Sequence, residues 1–192
     1  MMKTKISSST LVLIVISVAI NIIGSQLSDI VKLPIFLDSI GTIISALLAG
    51  PWIGLLTGLL SNLLSGLVSG PIAVAFAPVA MVIGLSAGLM ARAGFFRTLP
   101  RVILSGVVIT AVLTLVAVPI RIYLFGGTSG SGADFFIAYL HAVGEGLFMS
   151  VSFAVIGTNL VDKILSAIVA WLLIRRLPQR TLRHFPQIAR VR

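Results

Sequence analysis

The chain has 192 residues, of which 58% are hydrophobic and only 10% are charged, whereas about a quarter of residues are charged in a typical soluble domain. A chain of this composition cannot place its apolar side chains in one globular core, which excludes an ordinary soluble protein. Cysteine is absent, which excludes disulfides and thiolate metal sites. Several apolar runs approach the ~18 to 20 residues that cross the membrane as a helix, so we expect an all-α integral membrane protein.

A six-helix transmembrane bundle in one domain, residues 1–192, is the simplest prediction. The predicted spans are residues 10–27, 37–49, 53–67, 71–90, 102–125 and 158–174. The second and third are only about 20 and 22 Å long at ~1.5 Å per residue, so the sequence leaves open whether this pair crosses fully. Residues 126–156 are expected to form an outer loop and interfacial segment, and residues 175–192 a basic tail.

The distribution of charge predicts the orientation of these spans. One side of the predicted topology collects eleven of the 14 basic residues, namely Lys3, Lys5, Arg92, Arg97, Arg101, Arg175, Arg176, Arg180, Arg183, Arg190 and Arg192. The positive-inside rule makes that side cytoplasmic, so both termini are expected in the cytoplasm and the acidic residues toward the outside. His141 and His184 then lie on opposite sides, which speaks against a histidine metal site.

Two polar residues begin and end the short second and third spans. Asp38 starts one of them and can cap free backbone N–H groups or face a ligand, and the sequence leaves both possibilities open. Asn62 lies near the outer end of the other. Polar groups that converge from adjacent helices at one depth predict a pocket on the outer side.

Glycines recur at four-residue spacing in this region. Gly50, Gly54 and Gly58 form one stripe, and Gly84 and Gly88 form another. Such stripes let helices approach closely. Packing within the chain is the more common explanation for any single pair.

Three strings carry a resemblance to a known family. The string NIIGSQLSDIVKLPIFLDSIGTIISALLAGPWIGLLTGLLSNLLSG, followed by GEGLF and GTNLVDKILSAIVAWLL, resembles the substrate-binding S component of energy-coupling factor (ECF) transporters, the prokaryotic vitamin-uptake systems. The resemblance implies a multi-pass protein of the cell membrane that captures a vitamin or related small heterocycle from outside. It also implies docking on a transmembrane coupling protein with two cytoplasmic ATPases.

The chain itself has no GxxxxGK[ST] phosphate-binding motif, so ATP would be used by those partners and no cofactor is expected on this chain. By position in the family, the pocket would draw on Asp38, Asn62, Arg121, Tyr123, Tyr139, His141, Glu145 and Asn159. Alternatives remain, because Arg121 can snorkel to lipid headgroups and the two tyrosines can belong to an interfacial aromatic belt. Asn159 can instead bond a neighbouring helix.

The family's docking surface commonly carries an AxxxA pair on the first helix, which is not cleanly reproduced here. The candidate docking residues are Ser17, Asn21, Ala80, Gly84, Ala87 and Gly88. The ligand stays undecided among cobalamin, a thiamine precursor, and a nucleobase or nucleoside-like molecule.

Parts of the sequence also suggest two other functions, a stand-alone carrier or channel and an intramembrane protease. A stand-alone carrier or channel, with the short helix pair as a re-entrant element, stays open. The strings GTSG and HAVG imitate the GxSG and HxxG motifs of rhomboid intramembrane proteases, but Ser129 and His141 are only twelve positions apart. That spacing leaves no room for an intervening span, and GGTSGSGAD is typical of a flexible loop. We therefore expect no enzyme activity.

Overall fold

The computed structural model describes residues 7–31, 33, 35–185 and 187–191. Lys3, Lys5 and Arg192 of the predicted basic clusters lie outside the described residues, and the side chain of Arg190 is not described. The described part of the chain is helical and contains no strand. Its helices are α1 (Ser8–Val31), α2 (Ile40–Ala49), α3 (Pro51–Ser69), α4 (Ile72–Ala75), α5 (Ala77–Arg92), α6 (Leu99–Phe125), α7 (Ala133–Ala142), α8 (Leu147–Arg176), α9 (Gln179–Leu182) and α10 (Ile188–Val191).

Four helices, α1, α3, α6 and α8, are long and apolar enough to cross a membrane, and α2 and α5 are shorter apolar helices. The prediction of an all-helical, multi-pass membrane protein is confirmed. Because α2 has 10 residues, it is only about 15 Å long at ~1.5 Å per residue. Full crossing by α2 and α5, and hence a count of six spans, stays a prediction.

The last apolar helix differs most from the sequence prediction. The span expected at 158–174 is α8, which begins at Leu147 and has 30 residues, while α7 occupies much of the expected outer loop. Gly157 and Thr158, at the predicted start of this span, do not interrupt the helix. In the structure the Thr158 hydroxyl donates to the Ala154 carbonyl (2.7 Å), so the helix satisfies this polar group itself. A helical glycine costs about 1 kcal/mol relative to alanine, which packing against α6 readily outweighs.

Glycines bring α3 and α5 together backbone to backbone. A Cβ placed at Gly84 would overlap the carbonyl of Gly54, and one placed at Gly58 would overlap the carbonyl of Ala80. Small residues permit such close approach in membrane bundles, where packing rather than the hydrophobic effect holds helices together. The two glycine stripes therefore serve packing inside the chain.

Adjacent long helices run in opposite directions. In α6 and α8, Gly106 near the start of one helix packs against Ile164 in the later half of the other, and Gly127 just after α6 packs against Leu147 at the start of α8. The α3 and α5 pair is likewise antiparallel, because Gly88 lies against Pro51 and Gly58 against Ala80. This alternation places the end of α1, α3 and α6 beside the start of α2, α5 and α8.

Asn21 joins the first three helices at one point. Its side chain is 1% exposed, and its Nδ2 donates to the hydroxyls of Thr42 (2.8 Å) and Ser61 (2.9 Å). Its Oδ1 accepts from the backbone N–H of Gly41 (2.8 Å). A buried amide that is fully bonded to two neighbouring helices fixes their relative position, because any slip leaves polar groups unpaired.

The two ends of the bundle carry opposite charge. The arginine end is defined by the side chains Arg92, Arg97, Arg101, Arg175, Arg176, Arg180 and Arg183. The tail folds back onto this end, since the backbone N–H of Gln187 donates to the Leu48 carbonyl (3.3 Å) and its side chain lies beside Gly50. The acidic end, formed by the end of α1, α3 and α6 and the start of α2, α5 and α8, holds the acidic side chains.

Candidate ligand-binding site

A cavity of about 480 Å³ lies at the acidic end of the bundle. This volume falls in the range of ~300 to 1,000 Å³ that small-molecule sites occupy. The polar part of its wall consists of Asp29, Asp38, Arg121, Lys163, Asn62, Asn159, Ser25, Ser28, Ser39, Ser65, Ser69, Ser129 and Ser131. The apolar part includes Leu33, Phe36, Ile72, Phe76, Val79, Ile83, Ala117 and Val155. The cavity thus combines apolar surface with many hydrogen-bonding groups.

The segment that connects α1 to α2 is held in the wall by Asp162. The backbone N–H groups of Phe36 (3.2 Å) and Leu37 (2.9 Å) both donate to the Asp162 carboxylate. Leu37 has a φ of 52°, a left-handed conformation that costs a non-glycine residue roughly 1 to 2 kcal/mol. These charge-assisted bonds stabilise that conformation and so fix the position of Asp38 next to it.

Lys163 is the centre of a buried ionic cluster, which we call the Lys163 cluster: Asp38, Ser39, Asp162 and Lys163. The ammonium donates to the carboxylates of Asp162 and of Asp38 (3.0 Å) and to the Ser39 hydroxyl (2.8 Å). Lys163 is 1% exposed and Asp162 is 0% exposed, whereas Asp38 is 37% exposed. All three ammonium donors are used, as a buried charge requires.

The Lys163 cluster answers the question that the sequence left open for Asp38. Ser39 is at the N-cap position of α2, and no side chain caps this helix. Asp38 therefore pairs with Lys163 rather than capping α2. The sequence analysis missed Lys163 as a wall residue. The feature of the sequence that could have indicated Lys163 is its position next to Asp162 in an apolar segment, where ionisable residues are rare.

Arg121 ties down the loop between α6 and α7. It is 3% exposed, donates from Nε to the Gly127 carbonyl (2.9 Å) and from Nη2 to the Ser131 hydroxyl (2.8 Å), and pairs with Asp134. Asp134 also accepts from the backbone N–H groups of Ser129 and Gly130. The guanidinium points inward into this network, so Arg121 does not snorkel outward to lipid headgroups.

Two asparagines in the wall have an orientation fixed by their partners. Nδ2 of Asn62 donates to the Ala73 carbonyl (3.0 Å), and Nδ2 of Asn159 donates to the Val155 carbonyl (2.9 Å). A carbonyl oxygen only accepts, so the amide nitrogen must face it and each Oδ1 must point elsewhere. Asn159 is 8% exposed, and its side chain bonds its own helix. Helix α6 contacts Asn159 at the backbone, where the Thr110 hydroxyl donates to the backbone carbonyl of Asn159 (3.2 Å).

The other four predicted ligand residues lie outside the cavity wall. Tyr123 is 86% and Tyr139 63% exposed, and His141 and Glu145 are also exposed. Sequence order alone places these residues near the acidic end but cannot tell which face of α6 or α7 they occupy. The wall brings together Asp38, Asn62, Arg121 and Asn159, but not these four.

The six candidate docking residues are used inside the chain. Ser17, Asn21, Gly84, Ala87 and Gly88 are buried, and Ala80 lies in the cavity wall. A stripe of small residues looks the same in sequence whether it receives a helix of its own chain or of a partner. These positions therefore give no support to a docking face at these six residues.

The two strings that imitate a protease are not brought together. The Ser129 hydroxyl lies 3.5 Å from that of Ser131, and Nδ1 of His141 lies 3.0 Å from the Glu145 carbonyl. Neither contact joins the serine to the histidine, which nucleophilic catalysis by this pair would require. His141 and His184 lie at opposite ends of the bundle, and the described residues contain no group of three or more potential metal-binding side chains.

Comparison with known families gives one match that covers most of the chain. A family model described as "ECF transporter, substrate-specific component" matches residues 9–174. The matched region contains all but the ends of the six apolar helices and every residue of the cavity wall. A search of curated proteins found no match, and neither did a search of solved structures.

Proposed function

The chain belongs to the substrate-specific components of ECF transporters, and from that premise we propose that it captures a vitamin or related small heterocycle in the cavity at the acidic end. The observation that supports this most is the cavity itself. A space of about 480 Å³ with a mixed polar and apolar wall is the usual form of a small-molecule site. Asp38, Asn62, Arg121 and Asn159 are the predicted ligand residues that we retain as wall residues.

The orientation that we propose follows from the separation of charges. The seven arginines that define the arginine end are placed in the cytoplasm by the positive-inside rule. The cavity then faces the outside of the cell, where a nutrient arrives. Both ends of the chain lie in the cytoplasm in this arrangement, and the membrane is the prokaryotic plasma membrane.

Delivery inward needs an energy source that this chain does not carry. The sequence has no phosphate-binding loop of the GxxxxGK[ST] type, so the chain lacks the backbone cradle that such loops offer to ATP. We propose that a transmembrane coupling protein and two cytoplasmic ATPases supply it. The cavity volume favours a ligand of the size of a thiamine precursor or a nucleobase over cobalamin, which is several times larger.

Co-purification tests this proposal. The tagged protein is solubilised from its host, its associated subunits are identified, and the small molecules that it releases are identified by mass spectrometry. We expect two ATPases, a coupling subunit and one retained heterocycle. Uptake of that heterocycle into proteoliposomes should require all subunits and ATP. A protein that purifies alone and accumulates the ligand without ATP would instead be a stand-alone carrier.

A further inference from the structure

The charged groups that remain free in the cavity wall are carboxylates. Lys163 and Arg121 are the cationic wall residues among the described residues, and both are paired: all three Lys163 donors and the Nε and Nη2 donors of Arg121 are directed to protein oxygens. A ligand that carries a carboxylate or phosphate would compete for these two cations with Asp38, Asp162 or Asp134. That competition would leave a protein carboxylate unpaired, which is unfavourable at low exposure.

The two asparagines add uncharged acceptors to this wall. One N–H of each amide is bound to the backbone carbonyl of Ala73 or Val155, so each side chain has its oxygen and its second N–H left. Among the described residues, neither Oδ1 has a hydrogen-bond partner. Asn159 is more than nine-tenths buried, yet its Oδ1 is not one of the fully buried polar atoms without a partner, so it stays accessible to a ligand or water.

The carboxylates of the wall also favour a cationic ligand. Asp29 has no ionic or hydrogen-bond partner among the described residues, and Asp38 uses one oxygen for Lys163 and is 37% exposed. The ionisable wall residues and their direct partners are Asp29, Asp38, Asp134, Asp162, Arg121 and Lys163. The four wall residues among them are balanced in charge, and the partner carboxylates Asp134 and Asp162 bring the set to a net charge of −2, which favours a cation.

We propose that the ligand is a small organic cation, a protonated amine or a positively charged heterocycle, whose N–H or O–H groups donate to Asp38, Asn62 and Asn159. The rings of Phe36 and Phe76 in the same wall offer apolar faces that bind a cationic ring well. This inference rests on the proposed function, because it names the chemical class of the molecule that the cavity captures.

Fractionated host extract tests the inference because it sorts the candidate ligands by charge alone. The small-molecule filtrate is separated into a fraction retained by a cation exchanger, a fraction retained by an anion exchanger, and a neutral flow-through. Each is added to the detergent-solubilised protein after its own small molecules have been washed out, and the melting temperature is measured. We expect the cationic fraction to raise it, because a ligand that binds only the folded state stabilises that state.

Asp29→Asn is the variant that probes the charge, since Asp29 lies in the wall, is exposed and has no bond to another described residue, so we expect the fold to be unaffected. The concentration of the cationic fraction that gives half the shift should rise about tenfold. Glu145→Gln is the matched control: it removes one negative charge at the same end but outside the wall, and should leave the curve unchanged.

The outcomes separate the inference from the proposed function. Stabilisation by the anionic or the neutral fraction overturns the cationic ligand while the capture function stands. Equal weakening by Asp29→Asn and Glu145→Gln would show that the charge of the whole end, rather than the wall, is responsible, and so also overturns it. If no fraction and not even the whole filtrate shifts the melting temperature, the proposed capture function itself fails.

Discussion

Replacing Lys163 by methionine tests whether the Lys163 cluster stabilises the fold. Methionine keeps most of the volume of the side chain but removes the ammonium. Asp162, 0% exposed, would keep only the backbone N–H groups of Phe36 and Leu37 as donors. Asp38 would lose its ionic partner, but its 37% exposure limits the consequence.

The expected magnitude follows from the burial of the pair. Removing one partner of a buried ion pair typically destabilises a protein by about 3 to 5 kcal/mol, because the remaining charge is left uncompensated. For a chain of this size, 1 kcal/mol corresponds to roughly 2 to 4 °C in melting temperature. We therefore expect Lys163→Met to lower the melting temperature by about 6 to 20 °C.

Thermal unfolding in detergent, followed by circular dichroism, measures this shift. Arg176→Met on the same helix is the matched control, since Arg176 is exposed, and it should change the melting temperature by about 2 °C or less. The double variant Asp162→Asn with Lys163→Met should recover much of the loss, because no buried charge remains. A single variant as stable as the control, or a double variant no better than the single, would refute the reasoning.

Four further variants test the packing of α3 against α5, the hydrogen bonds of Asn21, and the loop between α6 and α7. Gly84→Ala, whose Cβ would overlap the α3 backbone, should lower stability by about 1 to 3 kcal/mol, whereas Gly157→Ala in open space should raise it by up to about 1 kcal/mol; thermal unfolding compares them. Asn21→Leu should destabilise by about 1 to 3 kcal/mol in the same assay because it leaves the buried N–H of Gly41 without an acceptor; an unchanged melting temperature would contradict this. Arg121→Lys keeps the charge but not the planar fork that reaches Gly127, Ser131 and Asp134, so amide hydrogen exchange of the loop after α6 should become faster. Exchange equal to that of the wild type would disprove the anchoring.

Hydropathy and charge were sufficient to predict the class of the fold. Long apolar runs mark helices because lipid offers no hydrogen bonds to an open backbone, and α1, α3 and α6 lie close to where the runs predict them. The start of α8 could not be predicted in this way. Glycine and threonine suggest a break in sequence, but Thr158 bonds back to its own helix and Gly157 meets nothing that would disturb it.

The candidate site was predictable in its location and only partly in its residues. Asp38 and Asn62 lie in the wall because Asp38 precedes α2 and Asn62 lies in the second half of α3, which the antiparallel packing brings to the same end of the bundle. Tyr139 and Glu145 lie near the same end of the bundle but are exposed on its outside. The order of residues in the sequence does not specify which way a side chain points. Lys163 was missed because its long side chain reaches back to Asp38, a contact 125 positions distant in sequence that only the packing of α8 against α2 creates.

Capture of a ligand from outside requires the cavity to open on the outer face of the membrane, and because the chain has no cysteine, single cysteine variants can be labelled without background. Single variants Ser65→Cys in the cavity wall and Arg183→Cys at the arginine end are expressed in intact cells and treated with a membrane-impermeant maleimide. We expect Ser65→Cys to be labelled from outside and Arg183→Cys to be labelled only after the membrane is permeabilised. Labelling of Arg183→Cys in intact cells, with Ser65→Cys protected, would contradict capture of a ligand from outside.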